Sequence, residues 1–310
     1  MAVAERELPQ PNASDQVGGA TSEYDGGLSA FFNVRSRLFG IAYRMLGSAA
    51  EAEDVLQDVW LRWQSTNRSV VQDAPAFLAT TTTRLCINLA QSARSRRETY
   101  VGEWLPEPVD TASDPTLGAE HAEALGLAVL VLLEKLSPAE RAAYVLREAF
   151  DYSYLQIADI LQIEEANARQ VVSRARKHIA NGRRKSVSSN EQRRLLEAFI
   201  GAAQKGDLAA LEDLFAEDVV SYSDGGGIVR VARVPVAGRE RVAKFIASFA
   251  SFFWKGLTLA WTEANGQASV LMYRDGTAVA LATVDGSAQG IDRIMWFMRP
   301  SKLTAIAKSG

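Results

Sequence analysis

Apolar residues recur along this chain with two textures, and the change between them divides it. Up to about residue 185 they fall at helical spacing; beyond residue 190, helices alternate with short strand-like runs. Residues 28–46 predict a helix with Phe32, Leu38, Ile41, Ala42 and Met45 near one face, closed by Gly47 as a C-cap. Residues 49–64 predict a second, with Ala52, Val55, Leu56, Val59 and Trp63 inward and Trp60 at the border. Asp73-Ala74-Pro75 opens a third with an acidic cap and an early proline, running to about Arg97. Phe77, Leu78, Thr81, Leu85 and Leu89 are its core candidates. The threonines at 80–83 are poor helix formers and need tertiary support.

Prolines 106, 108 and 115 break the pattern between 98 and 117. The string YVGEWLPEPV at 100–109 puts Trp104 in this linker, where it either folds back onto a neighbouring domain or binds another protein. An apolar helix follows at 119–135, then a capping box at Ser137–Glu140 that starts a helix at 138–150. Ser153 and Gln156 form a second capping box, Gln162-Ile163 fits a turn, and Ala168, Val171, Val172 and Ala175 face inward on the next helix. Asn167, Arg169, Gln170, Ser173, Arg174 and Lys177 are left outside. This is a helix-turn-helix pattern, whose second helix enters a major groove and whose Arg and Gln side chains read guanine and adenine. A helix pair with a solvated basic face gives the same pattern.

After the Ser/Asn-rich break at 186–190 come helices at 191–204 and 207–215 and extended segments at 219–222 and 228–234. The latter two flank the turn Asp224-Gly225-Gly226-Gly227. An amphipathic helix at 238–254 precedes strand-like runs at 257–262, 268–273, 277–284 and 291–298. Helices followed by a strand meander predict an α+β cone, a curved sheet wrapped on helices. The fold class is therefore multidomain: a disordered arm (1–27), an all-α block (28–98), a linker (99–118), an all-α helix-turn-helix block (119–185) and an α+β cone (190–310).

Net charge −3 excludes a uniformly basic nucleic-acid coat, so DNA contacts must come from local clusters: Arg94, Arg96 and Arg97, and the stretch from Arg169 to Lys185. One cysteine, Cys86, excludes an internal disulfide or a cysteine zinc site, and two histidines far apart do not suggest a metal centre. No metal or cofactor is expected. Without a membrane-length apolar run or a signal-peptide core, the chain is expected to be cytoplasmic. On the second helix Glu51, Asp54, Gln57, Asp58 and Arg62 form the outer side, either a solvated charged face or an acidic docking surface for a basic partner.

AEDVLQDVWLRW at 52–63, DAPAFLATTTTRLC at 73–86 and SRARKHI at 173–179, in this order, resemble the extracytoplasmic-function (ECF) sigma factors of bacterial RNA polymerase. YVGEWLPEPV, the SDGGG turn at 223–227 and RPSKL at 299–303 resemble the sigma-J type of that family, with a fused SnoaL-like (nuclear-transport-factor-like) domain. The resemblance spans about residues 28–305. It implies sigma region 2 at 28–98, region 4 at 119–185 and a regulatory domain at 190–310, with core RNA polymerase and promoter DNA as partners. Asp54, Gln57, Asp58 and Arg62 would then dock on the clamp helices of the β′ subunit. The third helix, with Arg84, Arg94, Arg96 and Arg97, would meet the −10 element. Residues 138–180 would grip the β flap and read the −35 element, and the acidic linker (Glu103, Glu107, Asp110, Asp114) would thread toward the polymerase active centre. RPSKL departs from the subgroup's usual Asn-Pro-Asp/Glu-Lys-Leu.

Relatives of the cone cyclise or isomerise small molecules, which needs a pocket base. There is no histidine after His178; Asp218, Tyr222 and Asp224 are the polar pocket candidates, the two acids expected near turns and solvated. No catalytic residue is assigned, and a regulatory domain with room for an unknown small molecule is expected instead. The other readings are a ligand-sensing helix-turn-helix transcription factor and an isomerase or cyclase with a DNA-binding appendage. The expected regulatory contact joins Trp104 and Pro106 of the linker to Asp224, Gly225, Gly226 and Gly227 and to Lys302 and Leu303.

Overall fold

The computed structural model describes residues 17–98, 100–111, 126–182 and 184–307. Helices α1 (Val17–Leu46), α2 (Ala49–Ser65) and α3 (Ala74–Glu98) pack as the first block. The helix α1 begins inside the stretch expected to be disordered; residues 1–16 lie outside the described residues. No proline follows Pro11 there, and the Trp63 indole donates to the Gly27 carbonyl at 2.8 Å, tying the early turns to α2. Phe32, expected inward, is exposed; Phe31 is buried instead, its ring 5.1 Å from Trp60. On α3 the buried positions are Leu78, Ala79, Thr82, Thr83, Cys86 and Ala90, with Phe77, Thr81, Leu85 and Leu89 at the border. The hydroxyls of Thr81, Thr82 and Thr83 each donate to the carbonyl four residues back at 2.8 Å, which satisfies the two buried ones inside their own helix.

The second block is α4 (Leu127–Leu133), α5 (Pro138–Phe150), α6 (Tyr154–Leu161) and α7 (Glu165–Asn181). Of the helix expected at 119–135, residues 119–125 lie outside the described residues; α4 is buried on every side. Both capping boxes close reciprocally, and Gln162 makes the α6–α7 turn in the left-handed region at φ 56°.

The third block holds α8 (Ser189–Lys205), α9 (Leu208–Leu214), β1 (Phe215–Asp224), β2 (Val236–Ala237), α10 (Arg239–Ala247), β3 (Leu257–Ala264), β4 (Gln267–Arg274), β5 (Thr277–Ser287), β6 (Gly290–Phe297) and α11 (Pro300–Ala307). One sheet runs β2-β1-β6-β5-β4-β3, with β1 and β6 parallel and the other neighbours antiparallel. The extended segment expected at 228–234 is a loop, and the helix expected to reach 254 stops at Ala247 and continues as turns.

Both faces of this sheet are covered. Val270, Met272, Ala280, Ala282, Ile294 and Trp296 face α8–α10. The alternate residues Leu271, Leu281, Met295 and Phe297 join Leu303 and Ile306 of α11 in a core continuous with the first two blocks. The sheet is thus a wall shared between the cone interior and the rest of the molecule.

Candidate functional site

On α7, Asn167, Arg169, Gln170, Ser173, Arg174 and Lys177 are all exposed, while Ala168, Val172, Ala175 and Ile179 are buried. The stripe is partly pre-oriented. Glu165 pairs with Arg169 one turn on, and the Arg169 guanidinium lies 4.7 Å from the Tyr154 ring centre. Arg174 stands 3.8 Å from Glu140, whose carboxyl is held below its usual range chiefly by the Ser137 hydroxyl. On α2, Asp54, Gln57, Asp58 and Arg62 are exposed on one side, and Leu61 beside them is 61% exposed. Sequence reading omitted this apolar residue from the face.

The basic end of α3 is less informative: the side chains of Arg94, Arg96 and Arg97 lie outside the described residues. Arg84 is exposed, yet its guanidinium is engaged. It donates to the carbonyls of Ile160 and Asp159 at 3.0 and 3.1 Å, capping the last turn of α6 and joining the first block to the second. The same junction is reinforced by Arg37, which donates to the Phe150 carbonyl at 2.8 Å and lies 5.0 Å from the Tyr152 ring centre. Arg141, almost fully buried, donates to Met45 O at 2.6 Å and Glu134 Oε1 at 2.8 Å.

The linker is held from both sides. Asp224, expected to be solvated, is fully buried and takes hydrogen bonds from Tyr100 Oη at 2.6 Å, the Leu105 N–H at 3.0 Å and the Gly226 N–H at 3.1 Å. Lys302 Nζ pairs with its Oδ2 at 2.6 Å, donates to the Leu105 carbonyl and sits 4.5 Å from the Trp104 ring centre. The burial that excludes water there pushes the Lys302 ammonium down from its usual pKa, against the opposing pull of Asp224. So the ion pair needs no acid in RPSKL itself: its carboxylate comes from β1. Gly226 and Gly227, at φ 60° and 73°, let the turn approach Tyr100 and Val101, where a Cβ would sit 3.1 Å away in each case. Gly225 closes the turn, its carbonyl accepting from Ile228 and Val229 at 3.0 Å. Pro106 and Leu303 are both buried; Trp104 is half-buried, with its indole ring against Gly47.

Several holding residues were not foreseen. Glu107 accepts from Ala49 N at 2.8 Å and Ser48 Oγ at 3.0 Å, so a linker carboxylate sits at the N-terminus of α2. Asn265 exchanges hydrogen bonds with Val109, and Thr111 with Glu263 and Gly266. Arg184, expected to add to a phosphate-binding tail, is instead ion-paired with Asp218 and Asp292 of the third block. The cue for the linker's capture was already there: Trp, Pro and Val in a segment otherwise rich in acids.

The polar pocket expected from Asp218, Tyr222 and Asp224 is not formed. Asp218 is at the surface and Asp224 faces the linker. The cone cavity is lined mainly by aromatic residues, with Ser223 and Arg230 its polar side chains. Among the described residues no cluster of three or more His, Cys, Asp or Glu is placed to hold a metal, and no helix is long and apolar enough to cross a membrane.

Comparison with known proteins agrees with this geometry. Residues 33–96 match the Sigma-70 region 2 family and residues 126–179 the Sigma-70, region 4 family. The ECF RNA polymerase sigma factor SigJ of Mycobacterium tuberculosis is 36% identical over 236 residues, covering 74% of this chain and 75% of that protein. The probable ECF sigma factor SigI of the same species is 31% identical over 291 residues, covering 91% and 96%. The crystal structure of M. tuberculosis SigJ superposes with TM-score 0.72 at 30% identity, over 90% of this chain and 98% of that one. That match extends through the third block, so the three-block arrangement is shared as well as the two helical ones. The chain belongs to the ECF sigma factors, the subunits that direct RNA polymerase to its promoters.

Proposed function

We propose that this sigma factor is held closed by its own third domain and works through four parts once released. The α2 face with Asp54, Gln57, Asp58 and Arg62 docks on the basic clamp helices of the polymerase β′ subunit. The second block grips the β flap, and α7 reads the −35 element through Arg169 and Gln170 with Asn167, Ser173, Arg174 and Lys177 around them. The helix α3 meets the −10 element. The linker, with Glu103 and Glu107, threads toward the polymerase active centre.

Support for the first two assignments is exposure: every named side chain on α2 and α7 is accessible, while Val55, Leu56 and Val59 on α2 and Ala168, Val172 and Ala175 on α7 are buried. Arg84 has a different status, because its guanidinium is engaged on α6. It joins the basic residues of α3 in binding promoter DNA only after the two blocks part.

The observation that carries the regulatory reading is the Asp224–Lys302 pair clamped on Leu105. The connection between α7 and α8 is short, so the third domain acts at millimolar effective concentration or thereabouts, and even a weak contact with the linker stays occupied. The test is run-off transcription with purified core polymerase. Removing residues 190–310 changes promoter-specific output, and trimming from Arg299 onward, which deletes Lys302 and α11, raises it. Equal output from full-length and trimmed proteins would rule out a built-in regulator.

A further inference from the structure

The loop at 228–234 reads IVRVARV, an alternation of apolar and basic residues that a strand uses to bury one set and expose the other. Here it belongs to no strand. It leaves the Asp224–Gly227 turn, where Ile228 and Val229 donate to the Gly225 carbonyl, and passes the start of the linker. A Cβ on Gly227 would lie 3.1 Å from Val101, and one on Gly102 would lie 4.0 Å from the Arg233 Cα. Above these contacts a groove of about 350 Å³ separates the two segments. Val101 gives its linker wall, Ile228, Val229 and Val231 its loop wall, and Arg230 and Arg233 its charges.

The groove is open and its charges are unanswered. Val101 is 54% exposed and Ile228 71%. Apolar residues exposed singly are ordinary, but these are gathered in one concavity. Arg230 and Arg233 are exposed as well, and their side chains make no ion pair or hydrogen bond among the described residues. No Asp or Glu occurs from residue 225 to 239, and Asp224, just before the turn, is already paired with Lys302. Two unpaired cations beside uncovered valine and isoleucine suit a partner that carries both acids and apolar side chains. Nucleic acid would set phosphates against the valines, and a membrane is met by a protruding apolar edge rather than a groove.

We propose that this groove docks a segment of an acidic partner protein. Its apolar side chains lie against Val101, Ile228 and Val231, and its carboxylates pair with Arg230 and Arg233. One wall belongs to the linker and the other to the third domain, so the complete site exists only while the linker is gripped. Occupant and grip therefore favour each other, because a segment that binds only the gripped form raises its population. That consequence rests on the regulatory reading above. The docking does not, and binding to the purified chain tests it without transcription.

The experiment is fluorescence anisotropy of the full chain with a labelled peptide, SELLES, whose acids stand three residues apart, as Arg230 and Arg233 do. The peptide SKLLKS reverses the charge, and SESSES removes the apolar side chains. The expected result is saturable binding of SELLES at one site per chain, with SESSES weaker by roughly tenfold or more and SKLLKS unbound. Arg230→Ala with Arg233→Ala should weaken SELLES roughly fivefold or more. Val101→Glu, at an exposed position, puts an acid in the linker wall and should weaken it by a similar factor. Thermal melting checks that the variants are folded. Absence of saturation up to about 1 mM would overturn the proposal. So would a folded Val101→Glu protein that binds like the parent, since the linker would then be no part of the site. Displacement of SELLES by scrambled duplex DNA, in a protein carrying Arg169→Ala and Lys177→Ala, would assign the loop to phosphates and overturn it equally.

Discussion

Asn265 and Tyr43 lie 222 residues apart in the chain, and the Asn265 side-chain amide donates to the Tyr43 hydroxyl at 2.8 Å. The Tyr43 hydroxyl in turn donates to the Glu107 carbonyl at 2.6 Å, while Asn265 Oδ1 accepts from the Val109 N–H at 3.0 Å. One turn of the cone domain thereby touches the first block and the linker together. Both residues are nearly fully buried, and Asn suits the left-handed backbone at φ 54°. Asn265→Ala strands the Val109 N–H, and it should cost about 1–3 kcal/mol. Guanidinium unfolding should show a lower midpoint with an unchanged slope.

The Asp224–Lys302 pair calls for a larger effect. Asp224→Asn leaves a buried ammonium without its counter-charge, which should destabilise by about 3–5 kcal/mol. Lys302→Met leaves Asp224 with its Tyr100, Leu105 and Gly226 donors and should cost less. The double variant should fall well short of the sum, because each single change already breaks the pair. Limited trypsin digestion should cut the Asp224→Asn protein faster in the linker; an additive double variant would separate the two residues energetically.

Tyr100 gives the same junction a pH signature. Burial, with the Asp224 hydrogen bond next, raises its phenol to about 12. A folded value above the unfolded one of about 10 means a contribution fully present below pH 10 and lost as pH rises through 12. The melting-temperature gap between the parent and Tyr100→Phe should be constant below pH 10 and narrow above it. A gap independent of pH would show that the phenol is not engaged.

At the proposed polymerase surface, Asp54→Lys with Asp58→Lys should weaken binding of core polymerase with no change in melting, since both side chains are exposed. Each contact that becomes desolvated on docking is worth about 1–3 kcal/mol. Titration of labelled protein with core polymerase reads the loss, and unchanged affinity would remove this face from the interface.

On α7, Arg169→Ala and Gln170→Ala should each lose about 1–3 kcal/mol of discrimination for the −35 element. Lys177→Ala should weaken all sequences alike and lower the salt slope by about one unit. Arg169 also releases Glu165 and Tyr154 when it is truncated, so a melting control is needed. Equal losses on specific and scrambled promoter DNA for all three would make them phosphate contacts.

Much of the helical architecture was legible because caps are local. Ser137 with Glu140 and Ser153 with Gln156 announce their helices within four residues, and the structure closes both boxes. The meander was equally readable, with β3 to β6 each falling on a run expected as a strand. Long-range capture left weaker signals. Asp224 beside three glycines reads as a solvated turn, and only the distant Lys302, Tyr100 and Leu105 make it a buried one. A missed cue was the composition of β4 and β5: VLM at 270–272 and AVALA at 278–282 are continuous apolar runs, where a sheet with one wet face would alternate. Those runs required a cover for the second face, and linker, α11 and the helical blocks supply it. Arg84 shows a different limit, since a basic residue that caps a neighbouring helix is indistinguishable in sequence from one that faces solvent.

The order of the latch residues along the chain sets a clock. Domains fold as they emerge during synthesis, amino-terminal ones first. Tyr100 and Leu105 are made early, Asp224 much later and Lys302 later still. Each new molecule therefore passes through an interval in which both helical blocks are complete and the linker between them is ungripped. If the clamp restrains the factor, its freshest copies are the ones least restrained, and a polymerase close to the translating ribosome meets them first.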